Sequence, residues 1–426
     1  MSLFFQYISS VQRFGIHPGL ERIHALLERV GNPQNQHPLV LVGGTNGKGS
    51  TCEFLARLLA TENRRVGLYT SPHLYKWNER IQIRGSEFGV RGSEVFPDAI
   101  SDDELEALFQ DVQPHLEAVT PEHGTPTEFE TLTFMGLWHF ARQRVDAAII
   151  EVGLGGRWDA TNVTNPLVSV VTHVALDHCD RLGNTLEAIA RDKIEIARPN
   201  CILVTAETKP EVLEVFREHC DRIGAKLWSF QALDFADDAP PEVLSSTSDI
   251  ADFQQLNLRT AQIAHRAFQR ATSDEAQSKV LLPHAEFALD VPGRAEILRH
   301  NPTLMIDGAN NPDGAERLAK VLWKAKSAQP NRRLTMVVSF SSDKDYEAML
   351  KTWAPLCDRL IVTQNTSPRA LSLNQLAQSA SKYFDAVQAV PSVAAAVRRA
   401  LEQAAPQDLV CVSGSFFTIS EVPREV

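Results

Sequence analysis

Short, continuous apolar runs that alternate with helical stretches are the feature that most restricts how this chain can fold. The runs lie at 39–42, 66–69, 147–153, 168–174, 201–205, 303–307, 334–340, 360–364 and 408–414. Unbroken apolar runs predict strands that are covered on both faces, and helices between successive strands predict parallel pairing. The alternation is interrupted at 283–293, and 426 residues exceed what one hydrophobic core usually serves. We therefore predict an α/β protein with two domains, 1–290 and 291–426, the second being the smaller.

Charge and cysteine usage exclude several classes of protein. The formal net charge is −11, so the chain lacks the overall basic surface of a nucleic-acid-binding protein. The six cysteines are scattered without C-x-x-C spacing, which favours reduced thiols over disulfides or a zinc site. The first residues show no secretion signal, and no apolar stretch reaches the ~20 residues that span a bilayer. We expect a cytoplasmic protein with neither nucleic acid nor membrane as a partner.

A glycine-rich segment, GGTNGKGST at 43–51, separates the first predicted strand from the helix that follows it. Glycines let several backbone N–H groups turn toward one anion, and the helix N-terminus adds partial positive charge. Lys48 supplies a full positive charge for phosphates. The strict pattern G-x-x-x-x-G-K-[ST] is not met, because Val42 replaces its first glycine and Gly49 follows the lysine. A turn with a solvated lysine is the alternative, but the order strand, loop, helix favours phosphate binding; we call 44–51 the phosphate loop.

Polar side chains follow three other predicted strands. Ser71 follows the second strand and Glu151 ends the third. His178 follows the fourth strand, directly after Asp177. Because the carboxyl ends of parallel strands meet at one edge, these groups should share a crevice with the phosphate loop and could hold Mg²⁺, although imidazole is a less usual ligand. Taken singly, Glu151 could instead be satisfied within the turn 153–156, and His178 could be a surface histidine.

Three further charged residues carry little information by themselves. Lys193 lies in a predicted helix, Arg294 follows the interruption at 283–293, and Asp307 ends a strand of the second domain. Each of them alone is expected to be a solvated surface charge.

All these residues lie within a series of motifs that resembles the folylpolyglutamate synthase/dihydrofolate synthase family of the Mur ligase superfamily. The motifs occur in the family's order over nearly the whole chain: GTNGKGST (44–51), LYTSPHL (68–74), NERIQI (78–83), TEFETLTF (127–134), IIEVGLGGRWDATN (149–162), VALDHCDRLGNTLEAIARDK (174–193), PGR (292–294), DGANNPDG (307–314), DKDYEAML (343–350), PRAL (368–371) and SGSF (413–416). The resemblance implies a P-loop ATPase-like N-terminal domain with a mostly parallel sheet and a smaller Rossmann-like C-terminal domain. It also implies an ATP-dependent ligase that joins L-glutamate to a folate-type carboxylate through an acyl phosphate.

The resemblance assigns nucleotide and metal roles to individual residues. The ATP site would comprise Gly44, Thr45, Asn46, Gly47, Lys48, Gly49, Ser50, Thr51, Asn257, Arg294 and Asp307. The Mg²⁺ ligands would be Ser71, Glu151 and His178. Lys193 would be carbamylated, which turns a cation into a carboxylate-like metal ligand. The catalytic set would be Lys48, Lys193 and His178.

Substrate roles follow from the same resemblance. The pterin of dihydropteroate or tetrahydrofolate would contact Thr127, Trp158, Asp159 and Ala160. Residues 16–20 would form an N-terminal dihydropteroate loop, and Asn310 and Ser415 would lie at the glutamate site. Domain 1–290 would therefore bind ATP and pterin, and 291–426 would be the glutamate-ligase domain. We expect a monomer.

Two departures from the family pattern are visible. Asn310 replaces the histidine of D-G-A-H-N-P; asparagine can donate and accept hydrogen bonds but cannot carry a proton charge. Ala251 replaces a glycine before the Q-Q-x-N helix, which should alter a turn.

The alternatives are a superfamily ligase with another carboxylate acceptor and a non-catalytic nucleotide-binding protein. The matches at Thr127 and 158–160 argue against the first. The joint presence of Lys48, Glu151, His178 and Lys193 argues against the second. Within the leading interpretation, the chain could make dihydrofolate, extend polyglutamate tails or do both.

Overall fold

The computed structural model describes residues 2–11, 19–85, 95–229, 252–272 and 290–424. The chain divides into two compact units, Met1–Leu289 and Asp290–Val426. Three features of the sequence lie wholly or partly outside the described residues, namely 16–20, Ala251 and the interruption at 283–293. Within the described ranges, no helix is both long enough and apolar enough to cross a membrane.

In its described residues, the first unit combines helices with one sheet. Its helices are α1 (Leu3–Val11), α2 (Glu21–Arg29), α3 (Lys48–Ala60), α4 (Asp102–His123), α5 (Glu128–Arg142), α6 (Cys179–Leu182), α7 (Leu186–Lys193), α8 (Pro210–Ile223) and α9 (Asp252–Ala271). Its strands are β1 (Leu39–Gly43), β2 (Val66–Tyr69), β3 (Ile81–Arg84), β4 (Ala147–Glu151), β5 (Val168–Val171), β6 (Ile202–Thr205) and β7 (Lys226–Ser229). Short 3₁₀ helices occupy Pro33–Asn35, Trp77–Arg80, Ala160–Val163 and Ile194–Ile196.

The seven strands lie in the order β3-β2-β4-β1-β5-β6-β7. Every neighbouring pair is parallel except β2 and β3, which are antiparallel. The central strands β1, β4 and β5 are buried along their whole length, as their unbroken apolar runs predict. The predicted strands are thus confirmed as β1, β2, β4, β5 and β6, whereas β3, α8 and β7 were not predicted.

Local sequence explains where several helices begin and end. Ser101 and Thr127 cap α4 and α5, each paired with a glutamate three residues later in a capping box. In α2 the residues Ile23, Leu26 and Leu27 are buried on one face, as their helical spacing predicts. These contacts fix α2, α4 and α5 against a common core.

The second unit is a smaller α/β layer structure. Its helices are α10 (Pro312–Ser327), α11 (Tyr346–Trp353), α12 (Leu373–Ala380), α13 (Val393–Glu402) and α14 (Phe416–Ser420). Its strands are β8 (Glu296–His300), β9 (Thr303–Ile306), β10 (Leu334–Val338), β11 (Arg359–Val362), β12 (Val387–Ala389) and β13 (Leu409–Ser413). They form one sheet in the order β12-β11-β10-β13-β9-β8, parallel except for β8 against β9. The predicted strands are confirmed as β9, β10, β11 and β13.

Strand order determines which loops meet within each unit. In the first sheet β1 lies between β4 and β5, so the phosphate loop is flanked by Glu151 and by residues 172–175. In the second sheet β13 lies between β10 and β9. The segments that follow these three strands therefore share one edge of that sheet.

Candidate functional site

The phosphate loop needs glycine at two positions. Gly44 has φ 138° and Gly47 has φ 91°, which L side chains rarely adopt. A Cβ atom on Gly44 would run into Thr172 Oγ1, and one on Gly47 would run into Asn257 Oδ1. Asn257, on α9, therefore lies directly against the loop, as the resemblance implied for a nucleotide-site residue.

Residues 172–175 bracket the loop from the β5 side. The Thr172 hydroxyl donates to the Asn46 carbonyl at 2.8 Å, and Thr45 N donates to the His173 carbonyl at 2.6 Å. The Ala175 N–H completes the contact by donating to Thr45 Oγ1 at 3.1 Å. The loop backbone is thus fixed in place by its neighbour strand as well as by its own helix.

Two lysines converge on one carbonyl oxygen of the loop. Lys48 Nζ and Lys193 Nζ each donate to the Gly44 carbonyl at 3.1 Å, and Lys48 also bonds the Thr45 carbonyl. Lys193 is only 3% exposed, so the expectation of a solvated helix lysine is wrong. Burial, followed by the charge of Lys48, lowers the pKa of Lys193 to about 7. The site therefore holds an amine that is partly neutral near neutral pH.

The first turn of α3 carries the rest of the loop. Gly49, Ser50 and Thr51 follow Lys48 in this turn, and Ser50 and Thr51 are buried. The free N–H groups and the dipole at the start of this helix favour an anion. A glycine-rich turn, a lysine and a helix N-terminus, which together make a phosphate site, therefore meet here, although the strict pattern G-x-x-x-x-G-K-[ST] is absent.

Ser71 and Glu151 come together at the ends of β2 and β4. Ser71 N donates to Glu151 Oε2 at 3.0 Å, and Glu151 is 3% exposed. This contact involves the segment after β2, whereas the alternative interpretation from the sequence placed the partners of Glu151 within the turn 153–156. The carboxylate of Glu151 and the hydroxyl of Ser71 are both oxygen groups of the kind that Mg²⁺ prefers.

His178 directly precedes α6 and has a left-handed backbone conformation with φ 51°. Its N–H donates to Asp177 Oδ1 at 2.9 Å, and its Nε2 lies 3.8 Å from Asp177 Oδ2. Among the described residues, no three His, Cys, Asp or Glu side chains form a group that could hold a metal by themselves. A cation here would therefore depend on Ser71 and on ligand oxygens as well as on Glu151 and His178.

The residues matched to the pterin site lie next to each other, but they differ in whether their side chains are exposed or engaged within the fold. Thr127 Oγ1 accepts from Glu130 N at 3.2 Å and donates to Glu130 Oε2 at 2.9 Å, which caps α5. Asp159 is buried, which raises its pKa, and its carboxylate accepts from the N–H groups of Leu154 and Thr161. Trp158, by contrast, is 53% exposed. The Arg157 guanidinium lies 5.1 Å from the centroid of the Trp158 ring, so this exposed ring already has one polar neighbour, whereas Thr127 and Asp159 organise the backbone.

Ala160 starts the 3₁₀ helix that follows, and it is buried. Gly153 lies between the Phe129 ring of α5 and the Asp159 carboxylate, where a Cβ would meet both. The helix capped by Thr127 and the segment 158–160 are thus brought side by side.

In the second unit, three motif segments converge. Asp307 accepts from the N–H groups of Ala295 and Ala309, each at 2.8 Å. The Arg294 guanidinium lies 4.3 Å from the centroid of the Phe416 ring. Burial raises the pKa of Asp307, and Arg294 opposes that effect. Arg294, Asp307 and Phe416 therefore occupy one end of this unit.

Asn310 and Ser415 lie in the same motif segments. Asn310 is half-buried, and its neighbour Asn311 caps α10. Ser415 is buried and caps α14, where its hydroxyl lies 2.8 Å from Thr418 Oγ1 and accepts from Thr418 N at 3.1 Å. The Ser415 hydroxyl is therefore engaged within the fold.

Sequence reasoning missed two groups of polar residues at strand ends. Ser339 and Asn365 follow β10 and β11, and Asn365 Nδ2 donates to Ser339 Oγ, Thr418 Oγ1 and Ser415 Oγ at 3.1 to 3.4 Å. Glu207 follows β6 in the first unit and is 1% exposed. The signal that could have found them is position, since each comes just after the carboxyl end of a parallel strand.

The fold and site define a class of protein. In one α/β unit, a phosphate loop with two converging lysines follows the central strand of a mostly parallel sheet, and a second α/β unit follows in the chain. Residues 293–416 match the family model for the Mur ligase, glutamate ligase domain. The second unit therefore carries the glutamate ligase domain of Mur ligases.

Full-length similarity narrows this class. A Bacillus subtilis protein named dihydrofolate synthase/folylpolyglutamate synthase is 32% identical over 435 residues, covering 97% of this chain and 96% of that relative. The chain belongs to the dihydrofolate synthase/folylpolyglutamate synthase family, which confirms the predicted family and fold class.

Solved structures agree over the same extent. Mycobacterium tuberculosis folylpolyglutamate synthase complexed with ADP is 30% identical with a TM-score of 0.83, covering 98% of this chain and 96% of that one. A bifunctional folylpolyglutamate synthase/dihydrofolate synthase of Yersinia pestis, complexed with AMPPNP and Mn ion, is 26% identical with a TM-score of 0.76, covering 98% and 95%.

Proposed function

We propose that this protein joins L-glutamate to the carboxylate of a folate-type substrate, with ATP as co-substrate and an acyl phosphate as intermediate. The observation that carries the proposal is the convergence of Lys48 and Lys193 on the phosphate loop, beside the Glu151–Ser71 pair. A carboxylate does not react with an amine at neutral pH until it is activated. Transfer of the γ-phosphoryl group supplies the leaving group, and the glutamate amine then attacks the acyl carbon and displaces phosphate.

The chain's own residues would contribute mainly positioning and positive charge. The phosphate loop and Asn257 would hold the ATP phosphates, and Arg294 and Asp307 would complete the nucleotide site. Lys48 would offset the charge that builds up when the γ-phosphate, the folate carboxylate and glutamate approach each other. This role is supported by its place at the N-terminus of α3, within the loop that it would serve.

Mg²⁺ would bind at Ser71, Glu151 and His178, where the oxygen atoms of the first two residues suit its preference. When bound, it would neutralise phosphate charge. The Mn ion in the Yersinia pestis structure supports a divalent cation in the family.

Lys193 would be carbamylated, because a buried amine with a pKa of about 7 is available in the neutral form that reacts with CO₂. Intact mass of protein kept in bicarbonate and in CO₂-free buffer tests this modification. The wild-type chain should gain the mass of one CO₂, and a Lys193→Met variant should not.

Substrate contacts divide between the two units. The pterin would bind beside Thr127 and segment 158–160, with the exposed part of the Trp158 ring, next to Arg157, as the stacking surface. Glutamate would bind in 291–426, near Asn310 and Ser415, while 1–290 would bind ATP and pterin. Because the Ser415 hydroxyl is engaged by Thr418, the backbone N–H groups of this segment are the donors that we expect glutamate to meet.

We further propose that the chain acts as a monomer in the cytoplasm and that it catalyses both dihydrofolate synthesis and polyglutamate extension. The Bacillus subtilis name covers both activities, whereas the Mycobacterium tuberculosis name covers only the second. Gel filtration with light scattering tests the monomer.

Assays of ADP release, with dihydropteroate and with tetrahydrofolate separately, each with glutamate, test the activities. Lys48→Ala should lower kcat by about 100-fold, the scale seen when one transition-state charge donor is removed. Lys324→Ala, on the exposed face of α10, serves as the matched control and should leave kcat unchanged. Absence of turnover with both folates would contradict the proposed function.

A further inference from the structure

Residues 172–175 are held from two sides. On one side, Thr172, His173 and Ala175 bond the phosphate loop through the contacts described above. Val174 faces the other way, toward the end of β6. Its N–H donates to Glu207 Oε2 at 2.9 Å, and its carbonyl accepts from Lys209 Nζ at 3.0 Å. Segment 172–175 therefore lies between the phosphate loop and the Glu207–Lys209 pair and is hydrogen-bonded to both.

The Glu207 carboxylate is fully occupied by donors. Oε1 accepts from Thr208 N at 2.8 Å, Lys209 N at 3.0 Å and Lys209 Nζ at 3.2 Å. Oε2 accepts from Val174 N and lies 3.4 Å from His173 Nδ1. Burial would raise the pKa of Glu207, but His173 and the backbone N–H donors outweigh burial and hold the pKa below its usual value. Lys209 Nζ also reaches Oε2 at 3.4 Å, so Glu207 is a buried anion whose two oxygens face different backbone donors and share one ammonium group.

We propose that Glu207 is a positioning residue for nucleotide binding, which acts through His173 and Val174 on the phosphate loop. This inference rests on the proposed nucleotide role of residues 44–51. The path is short: Glu207 fixes the Val174 backbone and the His173 ring, and the carbonyl of His173 accepts from Thr45 N at 2.6 Å. A displacement of segment 172–175 would therefore shift the loop backbone that meets the phosphates.

The same segment leads toward His178, four residues beyond Val174. Glu207 would therefore place the loop and this proposed metal ligand with respect to each other. The alternative is that Glu207 only connects the segments after β5 and β6 by hydrogen bonds and contributes to stability alone. The two interpretations differ in what a substitution does to the folded protein.

Glu207→Gln is the informative substitution because it preserves shape. Whichever way the amide points, its NH₂ group meets N–H donors, either that of Val174 or those of Thr208 and Lys209, so one set of bonds is lost. We expect MgADP to bind about tenfold more weakly by calorimetry and KM for ATP to rise in proportion. Two buried N–H donors that face each other without an acceptor cost a free energy that corresponds to a change of about this size. KM for glutamate should not change.

Asp408→Asn is the matched control. Asp408 is also a buried carboxylate that accepts from backbone N–H groups, those of Arg333 at 3.1 Å and Ala405 at 2.9 Å, but it lies in the second unit. We expect it to lower the melting temperature without changing the affinity for MgADP. If Glu207→Gln lowers the melting temperature and leaves MgADP affinity unchanged, the positioning role is refuted.

A second variant covers the case in which Glu207→Gln does not fold. Lys209→Met removes only the bonds from Nζ to Val174 and Glu207, at a side chain that is one-third exposed. It should weaken MgADP binding by a smaller factor of about two to three, and unchanged affinity would overturn the inference. Failure of the wild-type chain to bind MgADP would overturn the proposed function and this inference together.

Discussion

At the scale of single residues, Lys193 shows how burial links chemistry to stability. Burial and the nearby Lys48 lower its pKa from 10.5 to about 7 in the folded chain. Between these two values the unfolded chain binds the proton and the folded chain does not. The free energy of unfolding therefore rises with pH between about 7 and 10.5. Below about pH 7 the folded chain carries the whole cost of burying the protonated amine.

Lys193→Met should consequently stabilise the unmodified protein while abolishing its ligase activity. At pH 7.5 the free energy of unfolding should rise by about 3 kcal/mol, taking 1.36 kcal/mol for each pH unit below 10.5 and subtracting about 1 kcal/mol for the lost hydrogen bond to Gly44. The gain should shrink toward pH 10. Urea unfolding at both pH values in CO₂-free buffer measures it, and a variant less stable than wild type at pH 7.5 would contradict the argument.

Without the family resemblance, the residue pattern located this lysine but did not predict that it is buried. Its place in a predicted helix suggested a solvated charge, because helical lysines usually reach water. Burial arises only when α7 packs beneath the phosphate loop, which is a long-range contact between residues 193 and 44. Thr127 and Asp159 show the same limit: their positions were predictable, but their engagement in a cap and a turn was not.

At the scale of elements, central strands were predictable and edge strands were not. β1, β4 and β10 are buried throughout, so their apolar runs are unbroken. The edge strand β7 and the edge strand β8 are partly exposed, so their sequences lack such runs. An edge strand has a neighbour on one side only and need not be covered on both faces.

Substitutions at two helix caps can distinguish a residue that only stabilises the fold from one that also binds substrate. Thr127→Ala should lower the free energy of unfolding by about 1 kcal/mol, because Glu130 N loses its acceptor at the start of α5. Ser101→Ala is the matched control, since Ser101 and Glu104 form the same capping box on α4. Chemical unfolding should show similar losses for both variants, and KM for dihydropteroate should rise only for Thr127→Ala. Equal KM values for the two variants would mean that Thr127 is a cap and nothing more.

At the scale of the whole molecule, each unit has a hydrophobic core of its own. The second core is built around Phe340 and Trp353, whose rings stack at 6.1 Å, and the Trp353 N–H donates to the Ala315 carbonyl at 3.0 Å. Its strands β9, β10 and β13 are completely buried. A unit with its own sheet and core has what a domain needs to fold by itself.

We therefore expect residues 290–426, produced as a fragment, to unfold in one cooperative thermal transition. MgADP at 100 times its Kd should stabilise the full chain by about 2.7 kcal/mol, because it binds the folded state alone. The fragment lacks the phosphate loop and should show no such shift, even though it retains Arg294 and Asp307. Differential scanning calorimetry with and without MgADP distinguishes the cases. A fragment that melts without cooperativity would show that the second core depends on the first, and a full MgADP shift in the fragment would place nucleotide affinity outside residues 44–51.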